Sequence, residues 1–340
     1  MKKGFIRGDR TSDRPQVEGV HLLTGRLFHP EYFQGQRKKK HYFEGWYFKC
    51  ISADRKRAIA IIPGMAIDPQ GARHAFIQVI NAVSGKTHYF HFQHDQFDSA
   101  LDRFAIRIGD NRFDASGISL SVQTSEGQIG GQLGFSDIHL FPINWHSPGI
   151  MGPFSFIPFM ECYHAIIHLF HTLHGSIELD GETLDFTGGT GYIEKDYGRS
   201  FPRTYLWLQA SHFDNGDAAF VFSQARIPFL WFEFPGFFAY FTDFNGITYR
   251  FATYNRSNLV NWRVDPVTRT CSGELKGPSG IMRFSAQMAG GGRLRAPVDG
   301  LMDREIIESI TAVVHVAITD HRGNIQYQGK SGEAGMELCM

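Results

Sequence analysis

The sequence predicts an all-β protein, and three observations carry that prediction. Apolar and polar residues alternate with period two through most of the 340 residues, the mark of half-buried strands. Turn chemistry recurs between the alternating runs, at Ser84-Gly85, Gly109-Asp110-Asn111, Glu126-Gly127, Asp180-Gly181 and Phe244-Asn245-Gly246. Helical periodicity is scarce, so only a few short helices are expected. Many short strands spaced by turns build sandwiches or barrels, and the length suits two domains.

The first series of strands reads Tyr42–Ile51, Ala58–Pro63, His74–Asn81, Thr87–Gln93, Arg103–Ile108, Arg112–Asp114, Gly117–Thr124, Gly130–Phe135, His174–Leu179, Glu182–Thr187 and Gly191–Glu194. The second reads Thr204–His212, Ala218–Ile227, Phe232–Asp243, Ile247–Ala252, Leu259–Val264, Cys271–Lys276, Gly280–Ala286, Glu305–Thr319 and Asn324–Lys330. The stretch Asp137–Met160 breaks the rhythm. It is rich in Pro, Gly, Phe and Ile, and a long apolar loop of this kind either plugs a barrel or covers its mouth or edge. Glu31–Gly35 looks like the remnant of a cleavable tag, yet its flanks read as natural sequence, and it stays in the fold.

Apolar residues make up 42% of the chain, enough for a large core, and the net charge is zero with His neutral. That balance removes the electrostatic footprint of a nucleic-acid binder. The 31 Phe, 12 Tyr and 5 Trp suit either a large β core or the wall of an apolar cavity. The four Cys (Cys50, Cys162, Cys271, Cys339) lack the spacing of a disulfide scaffold or a zinc ribbon. Met1–Arg14 has no apolar signal core, and no run of about eighteen apolar residues appears. The reading is a cytoplasmic protein with reduced thiols. The basic run Arg37-Lys38-Lys39-Lys40 is either a solvated segment or a peripheral contact with anionic lipid headgroups.

Two segments carry mixed chemistry at fixed spacing. One is Tyr42-Phe43-Glu44-Gly45-Trp46-Tyr47-Phe48-Lys49. The other is Glu194-Lys195-Asp196-Tyr197-Gly198-Arg199-Ser200-Phe201-Pro202-Arg203, followed by Trp207-Leu208-Gln209. With Val260-Asn261-Trp262 and Leu294-Arg295-Ala296-Pro297, they resemble the tocopherol cyclase family in order, over about residues 40 to 336. Tyr197 departs from the pattern, where the family usually has Trp. The resemblance implies two tandem lipocalin-like antiparallel β-barrels, 39–203 and 204–340, behind an extension of residues 1–38. It also implies a hydrophobic partner, isoprenoid or prenylquinol-like, and cyclisation or hydration started by an acid.

Such chemistry delivers a proton to an alkene and then captures the tertiary cation with a phenol oxygen or a water. No metal or organic cofactor is required. A carboxyl group ordinarily titrates near about 4, and burial in an apolar cavity raises it and keeps its proton available. Glu44, Glu194 and Asp196 are the candidate acids. On a strand, Glu44 shares a face with Trp46 and Phe48, and Glu194 shares one with Asp196 while Lys195 points oppositely. Each carboxylate could instead pair with Lys195, Arg199 or Arg203. Trp46, Tyr47, Lys195, Tyr197, Trp207 and Gln209 are the candidate ligand contacts. The histidines at spacing three (His88, His91, His94; His168, His171, His174, with His164 ahead) alternate faces on a strand, so no metal site is expected. A non-catalytic carrier of a hydrophobic molecule is the alternative.

Overall fold

A computed structural model describes residues 25–340 except 230, 231 and 244. Two large antiparallel sheets form the protein. The first runs Thr87–Gln93, Arg73–Asn81, Ala58–Ile67, Tyr42–Ile51, Thr190–Gly198, Cys162–Leu179, Gly127–Leu140, Gly117–Thr124, Asn111–Asp114, Ala105–Ile108, Phe97–Ser99. Its two edge strands are consecutive in the chain, joined by the single turn His94–Gln96, and the sheet curls into a nearly closed barrel. The second runs Thr248–Ala252, Phe232–Thr242, Gly216–Phe229, Tyr205–Phe213, Ile325–Cys339, Leu301–Thr319, Gly280–Gln287, Thr270–Gly277, Asn258–Asp265. Its edges too are chain neighbours, across Thr253–Asn255. Helical structure among the described residues is confined to 3-10 turns of three to five residues. None is long and apolar enough to cross a membrane.

The two sequence motifs are hydrogen-bonded neighbours. Strand Tyr42–Ile51 pairs antiparallel with Thr190–Gly198, placing Glu44 opposite Tyr197, Trp46 opposite Lys195 and Tyr47 opposite Glu194. The alternation of each strand then sorts its side chains. Trp46, Phe48 and Ile193 enter the barrel core, where they meet Phe90, Phe104 and Phe113. Each fully buried ring of this kind contributes about 1.5–3 kcal/mol. Tyr47, Ile51 and Tyr192 face outward instead and join Tyr205, Trp207, Val221 and Tyr240 in a third core, between the barrel and the second sheet. The second sheet closes on Phe220, Phe222, Phe251 and Phe284. Phe33 belongs to the barrel core, so Glu31–Gly35 is an integral part of the fold.

Strand extent and one bulge depart from expectation. Gly127–Leu140 runs on into the apolar stretch and Cys162–Leu179 starts ahead of the expected His174, leaving residues 141–161 as a loop with one 3-10 turn, Gly152–Phe156. This loop enters the third core through Ile150, Met151 and Met160, tied to the second sheet by Tyr254 Oη donating to the Ile150 carbonyl at 2.8 Å. Register shifts around His168 and His171 add an unpaired residue between them, so the two rings meet, Nδ1 to Nδ1, at 3.1 Å. Strict alternation had separated them; the bulge restores the lost parity. Gly198, at φ +153°, lets its neighbour strand approach: a Cβ there would lie 2.4 Å from the Glu161 carbonyl oxygen.

Candidate active site

A cleft of about 110 Å³ opens between the barrel and the second sheet. Met151, Met160, Phe201, Trp207, Ile227 and Phe238 give it an apolar lining, and Glu194, Asp196, His164 and Glu337 stand in that wall. Strand register puts them there. His164 lies opposite Asp196 on adjacent strands of the barrel, and Glu337 lies opposite Trp207 in the second sheet. His164 Nδ1 is 2.9 Å from Asp196 Oδ1, and its Nε2 is 3.4 Å from Glu194 Oε2. Glu194 Oε2 also accepts from Tyr192 Oη at 2.6 Å and from Trp207 Nε1 at 3.2 Å. Tyr205 Oη donates to Glu337 Oε2.

Behind the cleft the same interface holds a second polar group. Tyr47 Oη donates to Glu308 Oε1 at 2.5 Å, and Lys49 Nζ donates to Gln209 Oε1 at 3.0 Å and to the Glu333 carbonyl at 2.5 Å. Glu308 is paired across the strands with Glu337.

Burial and mutual repulsion set the protonation of these groups. Burial pushes Glu194 up to about 7; the Asp196 charge adds to this, while His164, Tyr192 and Trp207 oppose it. Burial likewise pushes Glu337 up to about 8, against the Tyr205 hydrogen bond and helped by Asp196 and Glu194. Glu308 is raised well above the carboxylate range by burial and by Glu337. Burial pushes the His164 imidazole down, but Asp196 and Glu194 outweigh it and carry it up to about 9. At neutral pH the cleft therefore presents an imidazolium at His164 and a neutral carboxyl at Glu337. His164, Glu194 and Asp196 also offer donor atoms within 4.8 Å of one another, a set that could hold a divalent cation.

These shifts make stability depend on pH. Glu194, Glu337 and His164 all bind protons more tightly folded than unfolded, where their values are 4.5, 4.5 and 6.5. Stability therefore falls as pH rises through this range; the His164 contribution is complete below 6.5 and gone above about 9. Lys49, lowered by burial from 10.5 to about 7, acts in the opposite sense above pH 7. Exposed aspartates such as Asp265 and Asp320, held below 3.8, matter only in stronger acid. Denaturant unfolding should thus show a decline from about pH 5 to about pH 7, carried by Glu194 and Glu337 and shallower in Glu337→Gln. A rise across that interval would contradict the assignment.

The tocopherol cyclase-like family profile matches residues 143–339, more than half of the chain. The chain belongs to the tocopherol cyclase-like family. Among curated proteins none matches it in sequence. Several solved structures resemble it. A Nitrosomonas europaea protein assigned as AttH is 15% identical, with a TM-score of 0.50 over 96% of this chain and 100% of that one. CghA, solved with Sch210972, is 11% identical with a TM-score of 0.56 over 88% of each chain. Kievitone hydratase from Nectria haematococca is 11% identical with a TM-score of 0.48, over 87% of this chain and 88% of that one. At these identities the likeness to CghA and AttH is one of fold.

Against this tocopherol cyclase-like fold the sequence candidates divide by strand face. Glu194, Asp196 and Trp207 line the cleft. Tyr47 and Gln209 lie behind it, in the Glu308 and Lys49 group. Glu44, Trp46, Lys195 and Tyr197 do not line it: their face of the two strands looks toward the barrel interior. Glu44 is fully buried there, 2.5 Å from Lys195 Nζ, and accepts from the Gln34 N–H at 2.8 and 3.0 Å and from Tyr42 Oη at 2.5 Å. Lys195 also donates to the Pro30 and Tyr32 carbonyls, and its Nζ lies 4.8 Å from the centre of the Trp46 ring and 4.9 Å from that of Tyr197. Trp46 Nε1 donates to the Glu31 carbonyl at 3.0 Å. Glu44 and Trp46 do share a face, as parity requires, but it is this packed interior and not the cleft. Sequence reasoning passed over Glu337, Glu308 and His164 as partners of Glu194 and Asp196. The period-two run Tyr192, Glu194, Asp196 was the available signal for a polar outward face; nothing local pointed to Glu337.

Proposed function

We propose that the protein is an enzyme that protonates an alkene of an apolar, isoprenoid-like substrate in this cleft, leading to ring closure by an internal hydroxyl or to hydration. The observation that carries this reading is the neutral carboxyl of Glu337 in an otherwise largely apolar wall. Membership of the tocopherol cyclase-like family favours ring closure on a prenylated hydroquinone.

Glu337 gives its proton to one alkene carbon, and the neighbouring carbon becomes a tertiary cation. Tyr205 and the His164 imidazolium receive the carboxylate so formed. Phe201, Trp207 and Phe238 line the cleft, and an aromatic face stabilises a nearby cation by about 0.5–2 kcal/mol. The hydroxyl oxygen then bonds to the cation and loses its proton to Glu194, from which it returns to Glu337. Atoms balance: ring closure is an isomerisation, and hydration adds one water. The test is incubation with a prenylated hydroquinone in D₂O. The expected product carries one deuterium on the carbon next to the new C–O bond. Tight binding with no product, under conditions where the fold is intact, would leave a carrier and overturn the enzyme reading.

A further inference from the structure

We infer that the end of the molecule bearing the cleft mouth docks on an anionic lipid bilayer, with Phe156 and Phe159 entering the membrane interface. The loop that contributes Met151 and Met160 to the cleft wall turns Phe156 and Phe159 outward, 47% and 96% exposed. Phe159 also holds a left-handed backbone, φ +66°, which a bulky side chain rarely adopts. An aromatic ring kept in water on a strained backbone has no stabilising role in the isolated fold. Inserted among acyl chains, the same ring gains what it loses in water.

Charge at this end says what lies opposite. Arg203 and Arg226 are both exposed beside the mouth, joined by the Arg226 N–H donating to the Thr204 carbonyl at 3.1 Å. The basic run Arg37–Lys40 is exposed at the same end, because the next residue, His41, contacts Asp299 at 2.9 Å, and Asp299 also pairs with Arg199. The acids here are Asp299, already paired, Glu161 and Asp68, which are half-buried, and the exposed Glu233 and Asp303, against which stand Arg199, Arg203, Arg226, Arg304 and the basic run. The excess is basic in a protein whose net charge is zero, and it surrounds outward-facing Phe side chains. Phosphate headgroups over an acyl layer complement both features. The cleft would then open toward the phase in which apolar substrates dissolve. This inference stands whether or not the cleft is catalytic.

Cosedimentation with vesicles tests it directly. The full chain is expected to bind phosphatidylcholine vesicles carrying about 30 mol % phosphatidylglycerol, and to release in about 0.5 M NaCl. The Phe156→Ser/Phe159→Ser variant should lose about tenfold or more in partitioning while still unfolding cooperatively, and Phe159→Ser alone, whose ring is 96% exposed, should lose partitioning with an unchanged unfolding midpoint. Arg203→Gln/Arg226→Gln should bind more weakly and with less salt dependence. Absence of wild-type binding, or equal binding by the Phe variant, would overturn the inference. So would self-association of the wild type, lost in the Phe variant, without vesicle binding, since a second copy would then cover this face.

Discussion

Glu337→Gln is expected to lower turnover of a prenylated hydroquinone by a factor of about 10²–10⁴, the range that a positioned general acid contributes. Glutamine keeps the shape, and its Oε1 can still accept from Tyr205 Oη. What it lacks is a proton that it can give to carbon. Substrate affinity should change little, since the variant removes no apolar surface, and at neutral pH the unfolding midpoint should not fall, because glutamine has no ionisation that favours the unfolded chain. In the wild type, activity should fall as pH rises through about 8, where Glu337 ionises. Because Asp196, Glu194 and His164 all act on that carboxyl, Asp196→Asn should move the fall to lower pH: removing a negative neighbour makes ionisation easier. Measuring kcat apart from Kd is essential, since loss of binding alone would say nothing about proton transfer. An unchanged kcat in Glu337→Gln would remove Glu337 from the mechanism.

Strand parity was legible from the chain. Period two put Glu194 with Asp196 and turned Lys195 away, and it put Glu44 with Trp46; the structure has these relations. The extent of the strands was less legible: Cys162–Leu179 reads as a strand only once its partners Gly127–Leu140 and Thr190–Gly198 are known. What alternation cannot say is which face looks into the barrel and which looks at the second sheet, because both are buried and apolar. Glu44 lies on the inner face and Glu194 on the outer, although both stand among large apolar neighbours. Nor can local pattern bring Glu337 to Trp207, or Glu308 to Glu337. Those pairings come from long-range antiparallel register, and Glu337 enters the site from the far end of the chain.

Lys195→Met is expected to destabilise the fold by about 3–5 kcal/mol, the cost of stripping one partner from a buried ion pair. Lys195 Nζ meets Glu44, the Pro30 carbonyl and the Tyr32 carbonyl, all within 2.7 Å, and both side chains are inaccessible to water. Without the ammonium, the Glu44 carboxylate keeps only the Gln34 N–H and the Tyr42 hydroxyl, and two carbonyls lose their donor. Adding Glu44→Gln removes the stranded charge, so the double variant should be more stable than Lys195→Met alone. Urea unfolding of the wild type, both single variants and the double variant closes the cycle. Strict additivity would show that the pair is not coupled. The pair also bears on the site at one remove, since Lys195 sits between Glu194 and Asp196 on one strand and is held from the opposite side. If that strand is what fixes the two carboxylates, the double variant should recover activity along with stability. Loss of activity in a fully stable double variant would instead give the Glu44 and Lys195 pair a part in the chemistry.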